Sequence, residues 1–79
     1  MALFMLQLAV GKDAVIEADA AGRTADGEIV LECADHCGAP TRLRTYPVEA
    51  VTAVFRRAPL DGGGYGWLSR PSTGTWWCY

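Results

Sequence analysis

The sequence is poor in the residues that catalysis and metal binding draw on, with one histidine and three cysteines in 79 residues. An odd cysteine count argues against a closed disulfide framework, and three thiols are too few for a disulfide-dense secreted scaffold. Reduced cysteines in a cytosolic setting are therefore expected. No apolar run approaches the roughly 20 residues that a membrane-spanning helix needs. The apolar opening, Met1 to Val10, lacks the basic flank and cleavage site of a secretory leader and reads as a strand. Internal repeats are absent. A chain this short fits one domain, residues 1–79, with a thin core that hides only about 60–65% of the surface exposed on unfolding.

Apolar mass compensates. Apolar residues make up 51% of the chain, including three Trp, three Tyr and two Phe, against 20% charged residues and a net charge of −2. Disordered chains lack that apolar load, so the chain folds. The charges are unevenly placed. Residues 1–40 carry Asp13, Glu17, Asp19, Asp26, Glu28, Glu32 and Asp35 against Lys12 and Arg23. Residues 41–79 reverse the balance, with Arg42, Arg44, Arg56, Arg57 and Arg70 against Glu49 and Asp61. One acidic and one basic face would follow, unless strand pairing intermingles the charges.

Both alternating faces of Ala2 to Val10 are apolar, the pattern of a strand covered on two sides. Gly11-Lys12-Asp13 is a hairpin-length turn. Residues 13–21 fit either a second strand, Ala14 to Asp19, or a short helix stopped by Gly22. Glu28 to Ala34 and Thr41 to Tyr46 alternate as strands. Pro47 suits a first helical turn, and Val48, Val51 and Phe55 recur at helical spacing up to Arg56 and Arg57, so residues 47–57 are expected to be helical. The β-branched Val48, Val51, Thr52 and Val54 count against that helix. After the flexible Asp61-Gly62-Gly63-Gly64, Tyr65 to Arg70 and Thr75 to Tyr79 read as an aromatic hairpin turning at Pro71-Ser72-Thr73-Gly74. The expected fold class is α+β: a small, mainly antiparallel sheet of four or five strands with one short helix on a face. Its core is expected to hold Phe4, Leu6, Leu8, Ile16, Ile29, Leu31, Leu43, Val51, Phe55 and one of Trp76 and Trp77.

Few residues suggest chemistry. Cys33, His36, Cys37 and Cys78 would suffice for tetrahedral zinc, but the first three lack regular ligand spacing, so no metal site is assigned. Adjacent His36 and Cys37 point apart on a strand and make a poor nucleophile pair. Gly62 to Gly64 lacks the Lys-Ser/Thr of a phosphate loop. Neither an enzyme nor a cofactor is expected. Two contact surfaces are. Glu17, Asp19, Glu28 and Glu32 would share an acidic sheet face if strands 14–19 and 28–34 pair, suited to a cationic partner. Arg42, Arg44, Arg56, Arg57 and Trp77 would form a basic, aromatic face suited to nucleic acid or a protein hot spot.

The final third carries Gly66-Trp67-Leu68-Ser69, a turn at Ser72-Thr73-Gly74, and Thr75-Trp76-Trp77-Cys78-Tyr79. In size, acidity and this ending the chain resembles the small phage-encoded anti-CRISPR inhibitors, some of which finish in a tryptophan-bearing hairpin after a short helix. The resemblance implies a stand-alone cytoplasmic protein that binds a CRISPR surveillance complex and blocks its access to target DNA. The alternative is a small nucleic-acid-binding regulator using the basic C-terminal half. Edge strands in so small a sheet leave both monomer and dimer open.

Overall fold

A computed structural model describes residues 2–79; Met1, the first residue of the expected opening strand, lies outside them. The strands are β1 (Ala2–Leu8), β2 (Ala14–Ala18), β3 (Ala20–Arg23), β4 (Glu28–Ala34), β5 (Pro40–Pro47), β6 (Val51–Pro59), β7 (Tyr65–Ser69) and β8 (Trp76–Cys78). Strands hold 62% of the described residues and helix 4%, so the expected α+β class is corrected to all-β. The order β2-β1-β6-β7 forms sheet A, and β5-β4-β3-β8 forms sheet B. All neighbours are antiparallel.

The two sheets face one another across a shared core. Phe4, Leu6 and Val54 come from sheet A, and Ala21, Ile29, Leu31 and Cys78 from sheet B. Two stretches cross between the sheets. β2 runs into β3 with only Asp19 between them, and β5 passes into β6 through a 3-10 turn at Val48–Ala50. Corners made by strands that change sheets are typical of barrel-like sandwiches. Asp19 secures the first corner twice: its N–H donates to the Glu32 carbonyl at 2.8 Å, and its carboxylate accepts from the Ala34 N–H at 2.7 Å. This settles residues 13–21 as two short strands.

The expected helix over 47–57 fails for a specific reason. Leu8 stands opposite Val51 and Gln7 opposite Ala53, so Thr52 is an extra residue, a β-bulge. The bulge resets the alternation of the strand. Val48 and Val51 pack against the core, and Val54 and Ala58 are buried. That inward spacing of three, three and four imitates a helical stripe, while the β-branched residues satisfy the strand.

Other expectations shift with the topology. The aromatic segments do not form a hairpin: β7 pairs with β6, and β8 pairs with β3 in the other sheet. Pro71 to Gly74 therefore spans between sheets, helped by the Arg23 guanidinium donating to the Gly74 carbonyl at 2.8 Å. Leu43, expected in the core, is exposed at a second bulge, where Leu31 faces Arg44 and Glu32 faces Arg42. Phe55 faces outward from sheet A, beside Met5 and outside the core cluster. Trp76 is the inward indole and packs on the core, as do Leu8, Ile16 and Val51. No helix among the described residues is long and apolar enough to cross a membrane.

Candidate interaction surface

The residues expected to form an acidic face are split between the sheets. Strands 14–19 and 28–34 do not pair as a unit. β2 pairs with β1 in sheet A, and β4 pairs with β3 and β5 in sheet B. Glu17 thus lies on the outer face of sheet A opposite Leu3, while Glu28 and Glu32 lie on the outer face of sheet B. Asp19 has its carboxylate engaged at the corner. Asp19 and Glu32 meet in a shallow cleft of about 210 Å³ with Tyr79. Glu28 stands 4.0 Å from the Arg42 guanidinium in an exposed ion pair, a kind of contact that contributes little stability.

The basic and aromatic set is also dispersed. Arg42 and Arg44 belong to edge strand β5 and flank its bulge. The Arg56 guanidinium donates to the carbonyls of Tyr79 at 2.8 Å and Arg57 at 3.0 Å, which ties down the C-terminal residue. Arg57 sits over the Tyr65 ring at 4.2 Å from its centre, an exposed cation–π contact. Trp77 lies on the outer face of the opposite sheet, its indole laid across Gly22. Of the five residues, only Arg57 joins an aromatic platform.

The cysteine cluster does not assemble. Cys78 is buried in the core, Cys33 is half-buried with its thiol 4.0 Å from the Glu17 carbonyl, and Cys37 is exposed. Asp35 instead organises the β4–β5 turn, its carboxylate accepting from the N–H groups of Cys37 and Ala39. Among the described residues, no three His, Cys, Asp or Glu side chains come together as a possible metal site.

What the fold does gather is the outer face of sheet A. Register places Val15, Met5, Phe55 and Ser69 in one row across its four strands. Glu17 opposite Leu3, and Arg57 opposite Trp67, make the row beside it. Val15, Trp67 and Tyr65 are exposed, while Leu3, Met5 and Phe55 are half-buried by their neighbours. Among the described residues, no third layer packs on this face. Along its margin an open groove of about 380 Å³ is lined by Leu3, Glu17, Arg56, Arg57, Pro59 and Tyr65. Aromatic residues, Met and Arg on an uncovered face are the composition of a protein-contact core.

Sequence reasoning missed this surface although its trace was present. The doubly apolar β1 reads as a strand covered on both sides, whereas Leu3 and Met5 belong to the open face. No family model matches the chain, and no curated protein or solved structure matches it.

Proposed function

We propose that the chain is a non-enzymatic binding domain whose working surface is the outer face of sheet A, and that it acts by covering a protein surface of a larger nucleic-acid-handling complex. One observation supports the contact surface: Leu3, Met5, Val15, Phe55 and Trp67 form adjoining rows on a sheet face that no layer of the described residues covers, bordered by Glu17 and Arg57. Such a patch on a small domain is a docking surface more often than a bystander. Trp67 and Arg57, opposite one another at its β7 side, are of the residue types that dominate binding energy. The partner class, a CRISPR surveillance complex met in the bacterial cytoplasm, rests on the resemblance in size, acidity and tryptophan-bearing ending alone, since the short helix and hairpin that the resemblance implies are not formed.

The test is affinity capture of the tagged chain from CRISPR-bearing bacterial lysate, with and without nuclease, beside a Val15→Glu bait. CRISPR effector subunits retained after nuclease and lost with Val15→Glu are the expected result. Effector subunits retained equally by both baits would remove the sheet-A face from the reading.

A second reading draws on Arg57, Tyr65 and Trp67. Tyr65 and Trp67 lie two residues apart on one strand face, with a guanidinium over the first ring, an arrangement on which successive bases can stack. The net charge of −2 weighs against it. Direct binding of single-stranded DNA that falls steeply with salt would put this reading first.

A further inference from the structure

Two of the four edge strands, β5 and β7, are built in opposite ways. In β5, the pairs Gly27–Val48 and Asp35–Ala39 are hydrogen-bonded at the two ends of the β4–β5 ladder. Bonded pairs recur at every second residue, so the N–H positions of Pro40, Arg42, Thr45 and Pro47 are the ones turned outward. Proline at both extremes supplies no donor, the Leu43 bulge distorts the middle, and two arginines flank that bulge. Each is a device that keeps foreign strands off an edge.

β7 has neither a proline nor a bulge. Leu60 bonds to Gly64 at one end of the β6–β7 ladder, and Arg70 to Val54 at the other. Ala58–Gly66 and Arg56–Leu68 are therefore the bonded pairs between them. The N–H and C=O groups of Tyr65, Trp67 and Ser69 consequently point away from the sheet, along an edge with no proline or bulge; the Arg70 guanidinium donates to the Ser69 carbonyl at 3.2 Å, which leaves that oxygen's second lone pair for a further donor. Its side chains are exposed on both sides, Tyr65 and Trp67 on the outer face and Leu68 on the inner one, opposite Arg56.

We infer that β7 pairs with β7 of a second copy, antiparallel about a two-fold axis at Trp67. That register sets Trp67 opposite its own counterpart and Tyr65 opposite Ser69 of the second copy. It is the one register in which every outward N–H and C=O of β7 finds a partner; a shift of two residues strands a donor and an acceptor at each end. Charge agrees with it. Arg70 comes opposite Gly64 of the second copy, beside the turn that carries Asp61, and this happens at both ends. The uncharged middle offers no repulsion. Two copies of sheet A become one continuous eight-stranded sheet, an isologous assembly. This goes beyond the binding reading and stands without it.

Sedimentation of the full chain across a concentration series is the direct test, and a reversible shift from the 8.5 kDa monomer to twice that mass is expected. A chain that stays monomeric throughout overturns the proposal. Ser69→Pro removes one outward donor per copy and should weaken the dimer by about tenfold or more. A folded Ser69→Pro chain that dimerises like the parent also overturns it. Register is tested by oxidation in a Cys37→Ser background. Opposed Cα atoms of a bonded pair lie about 5.5 Å apart, within disulfide reach. Trp67→Cys should cross-link to itself, and Tyr65→Cys should cross-link to Ser69→Cys on mixing, while Ser69→Cys alone should not. Cross-linking by Ser69→Cys alone would refute the register. Val15 lies on β2, the far edge of sheet A, so Val15→Glu should abolish partner capture and leave dimerisation unchanged. The two ideas can therefore fail separately.

Discussion

The two outer faces of this sandwich are treated differently by the same C-terminal segment. On sheet B, β8 brings Trp77 alongside Gly22, and the indole lies so close that a Cβ on Gly22 would come within 2.5 Å of it. The next residue in that row, Val30, is fully buried although it points away from the core. On sheet A, β7 brings Trp67 alongside Arg57, and Val15 at the other margin is 56% exposed. The indoles themselves are similarly exposed, Trp77 at 41% and Trp67 at 39%. Exposure does not separate them; what lies beneath each ring does. One face has been closed by its own chain, and on the other the apolar row is left open among the described residues.

Mutation can break that contrast. Trp77→Ala uncovers Val30 and leaves a groove over Gly22. The expected loss is about 2–3 kcal/mol by urea unfolding, below the ~3–5 of a fully buried tryptophan because part of the ring is already wet. Gly22→Ala should cost about 1–2 kcal/mol, because the added methyl collides with a ring packed on a buried strand. The two changes act on one contact, so the double variant should lose less than the sum of the singles. Trp67→Ala should cost about 1 kcal/mol, the scale of a cross-strand pair. Val15→Ser should stay within about 0.5 kcal/mol, as exposed substitutions do. Equal losses for Trp77→Ala and Trp67→Ala would erase the distinction between a closed and an open face.

Much of the strand content was legible, because β1, β4 and β5 alternate or run apolar over lengths only strands reach. The region 47–57 was not, since the Thr52 bulge converts a period of two into inward steps of three and four, and a stripe of that spacing is what a helix shows. Pairing was equally hidden. Nothing local tells β7 and β8 to join different sheets, because the intervening Pro71-Ser72-Thr73-Gly74 serves a turn or a crossing equally well. The candidate site suffered from that long-range ambiguity. Glu17 and Glu32 carry strand signals of the same kind, yet the break at Asp19 sends their segments to opposite sheets. Leu3 and Met5 gave the one usable hint, an apolar second face on β1, and whether such a face is covered depends on elements far away in the chain.

The smallest expected effect concerns how the polar face of sheet B is held at its end. The Thr24 hydroxyl and the Asp26 carboxylate share a hydrogen bond in the β3–β4 turn, where Gly27 adopts a positive φ of 83°. That bond, with help from a backbone N–H and more weakly from Arg42, holds the Asp26 carboxyl below its ordinary value of 3.8. A depressed carboxyl favours the folded state once it is ionised. Its contribution is therefore present above the ordinary value and is lost as pH falls through the lower, folded one. Because Asp26 is fully exposed, the effect belongs to the turn rather than to global stability. Thr24→Val should return the Asp26 midpoint, followed by carboxyl NMR, toward 3.8. Arg42→Ala should move it less, since charge at that distance is screened by solvent. A larger shift from Arg42→Ala than from Thr24→Val would mean that the charges of β5, and not the turn's own hydroxyl, organise this end of the sheet.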